Sequence, residues 1–142
     1  MTKEIIASLQ ELDQISQYLE AHLPLHAILF LRGDLAAGKT TLVQALAKLR
    51  GVEGDVTSPT FSLQQCYGDE NGKTLYHYDL YRLGYEDFMA MGLFEEFEKE
   101  GWHLVEWGSD ELKAFFEGAG YPVVMIEIEP VSNGRKYTIH HE

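Results

Sequence analysis

The sequence predicts an α/β fold in which helices cover a mixed β-sheet that includes antiparallel hairpins. Residues 27–31 form a short uninterrupted apolar run, which is typical of a strand buried on both faces of a parallel sheet. A glycine-containing loop follows this run, and residues 40–49 then place apolar side chains at helical spacing. Near the end of the chain, Ser132-Asn133-Gly134 separates two apolar segments, which predicts a hairpin turn.

The first half of the chain predicts helix, strand, loop and helix in that order. Ser8 and Glu11 have the S-x-x-E spacing of a helix capping box, and apolar residues then recur at helical intervals, so we expect a helix over residues 9–21. The buried strand and the glycine-containing loop come next. The second helix covers residues 40–49, and Gly51 is a favourable residue to end it.

The second half predicts shorter elements and antiparallel strands. Residues 61–67 and 74–80 are expected to be strands, and the turn-forming residues 69–73 join them into a hairpin. The remaining elements, in chain order, are a helix over residues 85–97 that Gly92 weakens, a strand over 103–107, a helix over 109–116, and strands over 123–129 and 135–140.

The length of the chain and its charge limit what it does. Its 142 residues predict a single domain spanning residues 1–142, since domains cluster at about 100–150 residues. The chain carries 11 Lys and Arg against 23 Asp and Glu, a formal net charge of −12. Proteins grip nucleic acids through a basic footprint. We therefore expect any contact with a nucleic acid to be indirect or to depend on a partner.

The cysteine content and the hydropathy pattern predict a cytoplasmic protein that does not enter a membrane. Cys66 is the single cysteine and cannot form an internal disulfide, which fits a reducing cytosol. Residues 1–6 lack the apolar core of a signal peptide. No apolar run approaches the roughly 20 residues that a membrane span requires.

The loop between the buried strand and the second helix matches G-x-x-x-x-G-K-[ST], the phosphate-binding P-loop. Its glycines let successive backbone amides approach a phosphate, and the helix that follows adds its positive N-terminal dipole. Lys39 is placed to reach the β and γ phosphates, and the Thr40 hydroxyl to bind Mg²⁺. The predicted nucleotide site consists of Gly33, Asp34, Leu35, Ala36, Ala37, Gly38, Lys39, Thr40 and Thr41.

A P-loop site also needs a carboxylate that binds Mg²⁺ or positions water, usually at the end of a neighbouring strand. Asp79 and Glu106 each follow a strand-like run, at the sheet edge where open α/β sheets bind ligands. The alternative for either residue is a solvated strand end. With Lys39, these two carboxylates form the predicted catalytic set.

Three further features allow two interpretations each. Ser58, Pro59 and Thr60 are candidates for a switch loop that senses the γ-phosphate, or form an ordinary Ser-Pro turn. Trp107 is more typical of a core or an interface than of chemistry. Arg82 is a candidate charge finger, although a surface salt bridge is the more common role for such a residue.

Four motifs follow one another along the chain. They are residues 33–41, Thr57-Ser58-Pro59-Thr60-Phe61, His77-Tyr78-Asp79-Leu80-Tyr81-Arg82-Leu83 and Leu104-Val105-Glu106-Trp107. Together they resemble the TsaE (YjeE) family of small bacterial ATPases. Ala36 is one departure, since the family usually has glycine there, and Gly108-Ser109 stands where the family has proline and an acidic residue. The resemblance implies a P-loop NTPase-like three-layer sandwich with a mixed sheet.

The resemblance also implies a function and its participants. The family hydrolyses ATP with Mg²⁺ in support of threonylcarbamoyladenosine modification of tRNA, next to the anticodon, and its partners are the TsaD and TsaB proteins. For this chain it implies Thr40 and Glu106 around Mg²⁺ and Asp79 as a further carboxylate. It turns residues 58–60 into a switch-like loop, and it brings Ser8 and Arg135 to the border of the adenine.

Other P-loop functions remain as alternatives. A small-molecule kinase needs an acceptor pocket and an arginine-bearing lid, and no Arg-rich segment follows the first half of the chain. A nucleotide-dependent binding module without useful hydrolysis is a second alternative. A GTPase is disfavoured because the guanine-binding N-K-x-D motif is missing from the sequence.

Overall fold

The computed structural model describes residues 1–33, 38–49, 64–67, 74–81 and 83–141. Within these ranges, seven strands, four α-helices and two 3₁₀ segments follow one another along the chain. They are β1 (Thr2–Ala7), a 3₁₀ turn (Leu9–Glu11), α1 (Asp13–His22), β2 (Ala27–Arg32), α2 (Lys39–Leu49), β3 (Gln64–Tyr67), β4 (Leu75–Asp79), α3 (Tyr85–Ala90), a 3₁₀ helix (Leu93–Glu98), β5 (Trp102–Glu106), α4 (Asp110–Gly118), β6 (Val123–Val131) and β7 (Gly134–His140).

All seven strands belong to one mixed sheet, in the order β1-β7-β6-β2-β5-β4-β3. The centre is parallel: β2 pairs with β5 and β6, and β4 pairs with β5. Both margins are antiparallel, with β3 on β4 at one side and β6, β7 and β1 at the other. The predicted mixed sheet with antiparallel hairpins is confirmed.

Helices cover both faces of the sheet, which confirms the three-layer arrangement. On one face, buried residues of α1 and α2 such as Ile15 and Leu42 pack against Leu29 of β2. On the other face, Phe88 of α3 and Phe116 of α4 pack against the alternate residues of β2, such as Phe30. Because successive strand side chains point to opposite faces, the continuous apolar run of β2 contributes to both cores.

Strand β1 was not predicted, and its pairing explains why. Its residues are mostly exposed and only Ala7 is buried, so the segment lacks the apolar alternation that marks a strand. It forms because β7 offers a free edge, against which Thr2 pairs with His140 and Ala7 with Arg135. Pairing between the two ends of the chain leaves no local pattern in the sequence.

Two predicted helices have different bounds in the structure. The helix expected over residues 9–21 starts as a 3₁₀ turn, and the α-helix runs from Asp13 to His22. The helix expected over residues 85–97 is interrupted at Gly92, whose φ of 70° is left-handed, and a 3₁₀ helix follows. Gly92 therefore ends α3, as a residue without a side chain readily does.

The sheet buries a neutral histidine on the face covered by α3 and α4. The Nε2 of His103 donates to the carbonyl of Lys99 at 2.7 Å, so Nδ1 accepts from the Tyr78 hydroxyl at 2.8 Å. The rings of Tyr76 and Phe97 stack on the imidazole at centroid distances of 4.5 and 4.9 Å. Burial lowers the pKa of His103 from 6.5 to about 4.

This depressed pKa predicts a loss of stability in mild acid. Above pH 6.5 the contribution of His103 is fully present, and as the pH falls from 6.5 to about 4 the unfolded chain binds a proton that the folded chain does not. We expect the free energy of unfolding to fall by about 3 kcal/mol on account of His103 as the pH drops from 6.5 to about 4. Urea unfolding at several pH values measures it, and a His103→Gln variant with the same slope between pH 6.5 and 4 would contradict it.

In the described part of the chain, no helix is both long enough and apolar enough to cross a membrane.

Candidate functional site

The predicted carboxylates lie side by side at the carboxyl ends of the parallel strands. Glu106 of β5 is in register with Leu31 of β2 on one side and with Asp79 of β4 on the other. Glu106 is buried at 4% exposure, whereas Asp79 is half-buried and accepts a hydrogen bond from the Tyr81 amide at 3.1 Å. The parallel register thus joins two acids that are far apart in sequence.

Lys39 opens α2 next to these strand ends. Its side chain is only 3% exposed, and Nζ donates to the carbonyl of Gly33, at the end of β2, at 2.7 Å. The same ammonium lies 3.8 Å from the centroid of the Trp107 ring, which is a cation–π contact. A buried ammonium at the N-terminus of a helix places positive charge at this corner, beside the two carboxylates, and helix N-termini bind anions.

Trp107, which the sequence favours as a core or interface residue, contacts Lys39 of the candidate site. It directly follows Glu106, and among the described residues it is the one non-glycine residue with a positive φ, at 64°. Such a backbone is costly for a bulky residue and persists where its surroundings require it. The ring contacts Tyr81 edge-on at 5.0 Å as well as Lys39. Its position after a strand-end acid was the signal in the sequence.

A buried histidine contacts the buried carboxylate; it stands in one of the four motifs but was not predicted as a site residue. The Nε2 of His77, in β4, hydrogen-bonds to Oε2 of Glu106. The His77 side chain is fully buried. An ionised carboxylate is costly to bury without a partner, and this hydrogen bond provides one.

Arg135 reaches the P-loop from β7. Gly38 has a left-handed φ of 98°, and a Cβ at this position would lie 2.9 Å from Nε of Arg135, so the guanidinium covers the glycine. Within the described residues, this buried Nε has no hydrogen-bond partner. An unsatisfied donor at the edge of a phosphate loop suits an anionic ligand.

Ser8 lies close to the same corner and also serves as the predicted cap. The ideal Cβ position of Gly134, the residue before Arg135, is 3.2 Å from Cα of Ser8. The Ser8 amide donates to Oε1 of Glu11 at 3.0 Å, and this hydrogen bond lowers the pKa of Glu11. The structure therefore brings Ser8, Arg135 and Gly38 together from three distant parts of the chain.

Several predicted site residues lie outside the described part of the chain. They are Asp34, Leu35, Ala36 and Ala37 of the P-loop, Ser58, Pro59 and Thr60 of the predicted switch loop, and Arg82. Thr40 and Thr41 lie in the first turn of α2, where the side chain of Thr40 is likewise not described.

The residues that are described suit a magnesium nucleotide chemically. Lys39 and the amide end of α2 match the charge of a polyphosphate. Asp79 and Glu106 supply the hard oxygen donors that Mg²⁺ prefers, and sites of this kind combine one or two carboxylates with phosphate oxygens and water. Arg135 adds a buried donor at the rim. The donor set fits ATP and Mg²⁺, and its groups come from four elements: α2, β4, β5 and β7.

Comparisons with known proteins agree on one family. The family model described as "Threonylcarbamoyl adenosine biosynthesis protein TsaE" matches residues 6–137. A protein of Synechocystis named "tRNA threonylcarbamoyladenosine biosynthesis protein TsaE" is 47% identical over 78 residues, which cover 55% of this chain and 49% of the relative. The chain thus spans about half the length of this relative. A Rickettsia conorii protein of the same name is 34% identical over 129 residues, covering 89% of this chain and 70% of the relative.

The fold has a solved counterpart. The crystal structure of Bacillus subtilis YdiB superposes with a TM-score of 0.69 at 28% sequence identity. The superposition covers 99% of this chain and 87% of that one. The similarity therefore includes the strands that carry Asp79 and Glu106 as well as the β6–β7 hairpin.

Proposed function

Because the chain belongs to the TsaE family, whose members serve tRNA threonylcarbamoyladenosine biosynthesis, we propose that it binds and hydrolyses ATP with Mg²⁺ in that process. The observation that carries the proposal is that Lys39 contacts Trp107, the residue directly after Glu106, while Glu106 is in register with Asp79 at the same strand ends. P-loop hydrolases combine a phosphate-binding loop and its lysine with carboxylates at the ends of neighbouring strands, which serve magnesium or the attacking water.

We assign the residues of the site the following roles. Lys39 neutralises charge on the transferred phosphate, and the amides at the start of α2 bind the same group. Glu106 or Asp79 orients the attacking water and accepts its proton, and Thr40 with Glu106 would hold the metal. Magnesium, when bound, offsets the charge on the β and γ oxygens. Arg135 and Ser8 border the nucleotide at the other rim.

We further propose that the TsaD and TsaB proteins are the partners of this chain and that tRNA is contacted only indirectly. The net charge of −12 supports the second point, because it disfavours a broad surface for a polyanion. No second cation is placed by the P-loop motif itself, so turnover by the chain alone is expected to be slow. A partner that completes the site would accelerate it.

Phosphate release from ATP, measured with the chain alone and with TsaB and TsaD added, tests this function. We expect slow, magnesium-dependent release that rises when both partners are present. Unchanged release in their presence would contradict the partner-completed site. A phosphorylated small molecule in place of inorganic phosphate would instead identify a kinase. Bound ATP that stays unhydrolysed in a single-turnover experiment would identify a binding module.

A further inference from the structure

The contact between His77 and Glu106 crosses from β4 to β5 beneath the candidate site. His77 and Asp79 are two residues apart on β4, so their side chains leave the strand on the same face. The carboxylate oxygen accepts, so Nε2 of His77 is the donor and carries the hydrogen. Among the described residues, His77 is the side chain that hydrogen-bonds the Glu106 carboxylate.

The second ring nitrogen of His77 makes no hydrogen bond to the described residues that would give the histidine another structural role. Nδ1 of His77 is buried and has no hydrogen-bond partner within the described part of the chain. His103, the buried histidine of β5, is different: both of its nitrogens are paired, with Tyr78 and with the carbonyl of Lys99. The one hydrogen bond described for His77 therefore goes to Glu106, although the burial of His77 leaves its Nδ1 acceptor unsatisfied.

Holding one oxygen of a carboxylate restricts the other. Glu106 has several rotatable bonds, and at 4% exposure its carboxylate is shielded from bulk water, so the hydrogen bond from His77 restricts its orientation. When His77 binds Oε2, Oε1 is the oxygen that keeps both of its lone pairs for a metal ion or a metal-bound water. Partners of this kind behind a metal-binding group commonly change metal affinity or activity by about 10- to 100-fold.

We propose that His77 is the positioning residue of the Glu106 carboxylate, selecting the oxygen that serves magnesium or its bound water. This inference rests on the proposed function. It assigns His77 no contact with the nucleotide and no proton transfer, so its effect is expected in the magnesium dependence and in kcat. Affinity for ATP in the absence of magnesium is expected to stay the same.

Two substitutions of His77 test the proposal. His77→Leu removes the donor, whereas His77→Gln places an amide N–H near the position of Nε2. We expect His77→Leu to raise the magnesium concentration for half-maximal ATP hydrolysis by about tenfold or more and to lower kcat by a similar factor. His77→Gln is expected to recover most of both losses. ATP affinity in EDTA, measured by titration, is expected to match the wild type in both variants.

His103→Gln provides the matched control, because it alters a buried histidine of the adjacent strand on the opposite face of the sheet. It is expected to lower thermal stability without shifting the magnesium dependence. The proposal is overturned if His77→Leu keeps the wild-type magnesium dependence and kcat, or if His77→Gln loses as much as His77→Leu does. If His77→Leu does not fold, His77→Phe, which keeps a flat ring but lacks the Nε2 donor, takes its place with the same expected losses, and a wild-type magnesium dependence in His77→Phe rejects the proposal.

The two levels of inference fail in different ways. If the wild type shows neither magnesium-dependent ATP binding nor hydrolysis, the proposed function fails and the role of His77 fails with it. If the wild type hydrolyses ATP with a clear magnesium dependence that His77→Leu leaves unchanged, only the positioning role is rejected.

Discussion

Glu106→Gln is expected to lower the turnover of ATP by about 100-fold or more, while the affinity for ATP changes little. Glutamine keeps the size of the side chain and an oxygen that accepts from His77, so the local structure is retained. What it loses is the negative charge that, in the proposed function, polarises water and draws in the metal. Because Glu106 is 4% exposed, bulk water has little access to the carboxylate and does not compensate for the lost charge. Phosphate release gives the turnover, and nucleotide titration gives the affinity.

Asp79→Asn and Glu129→Gln complete this experiment. Asp79 is half-buried and engages the Tyr81 amide, so we expect a smaller loss of turnover from Asp79→Asn than from Glu106→Gln. Glu129 is exposed on β6, and its change to glutamine provides the isosteric control with wild-type turnover. A larger loss in Asp79→Asn, with turnover preserved in Glu106→Gln, would show that Asp79 positions the water.

Lys39→Ala is expected to lower the turnover of ATP by about 100- to 1000-fold. It removes the preorganised positive charge of the ammonium, which in the proposed function faces the transferred phosphate. Unlike Glu106→Gln, it is also expected to weaken ATP binding, since the ammonium is placed to contact the phosphates before the reaction as well as during it. Loss of the contact with the Trp107 ring adds a cost to stability of about 0.5–2 kcal/mol. Turnover, ATP affinity and urea unfolding are measured on the same preparation.

Two lysine variants separate charge from packing. Lys39→Met keeps an unbranched apolar stem over the Trp107 ring, so we expect it to restore part of the stability but none of the activity. Lys48→Ala removes an exposed lysine from the last turn of the same helix and is expected to behave like the wild type. Equal turnover in Lys39→Met and the wild type would remove Lys39 from the catalytic set.

Local patterns in the sequence predicted the central elements well. The apolar run of β2, the helical spacing of α2 and the turn before Gly134 each depend on neighbours within a few residues, and each was found close to its expected place. The strand-end acids were found in the same way, because each ends a short apolar run. Strand β1 was missed because its stability comes from pairing with β7 at the other end of the chain.

By itself, the sequence determined the α/β class, the match to the P-loop motif and the strand-end positions of the candidate acids Asp79 and Glu106. Only the tertiary structure decided that these acids are neighbours, that His77 holds Glu106, that Trp107 covers Lys39 and that Arg135 rests on Gly38. The physical reason is the range of the interactions. Helical and strand periodicity arise within one segment, whereas register between strands and contact between side chains depend on how the whole sheet is ordered.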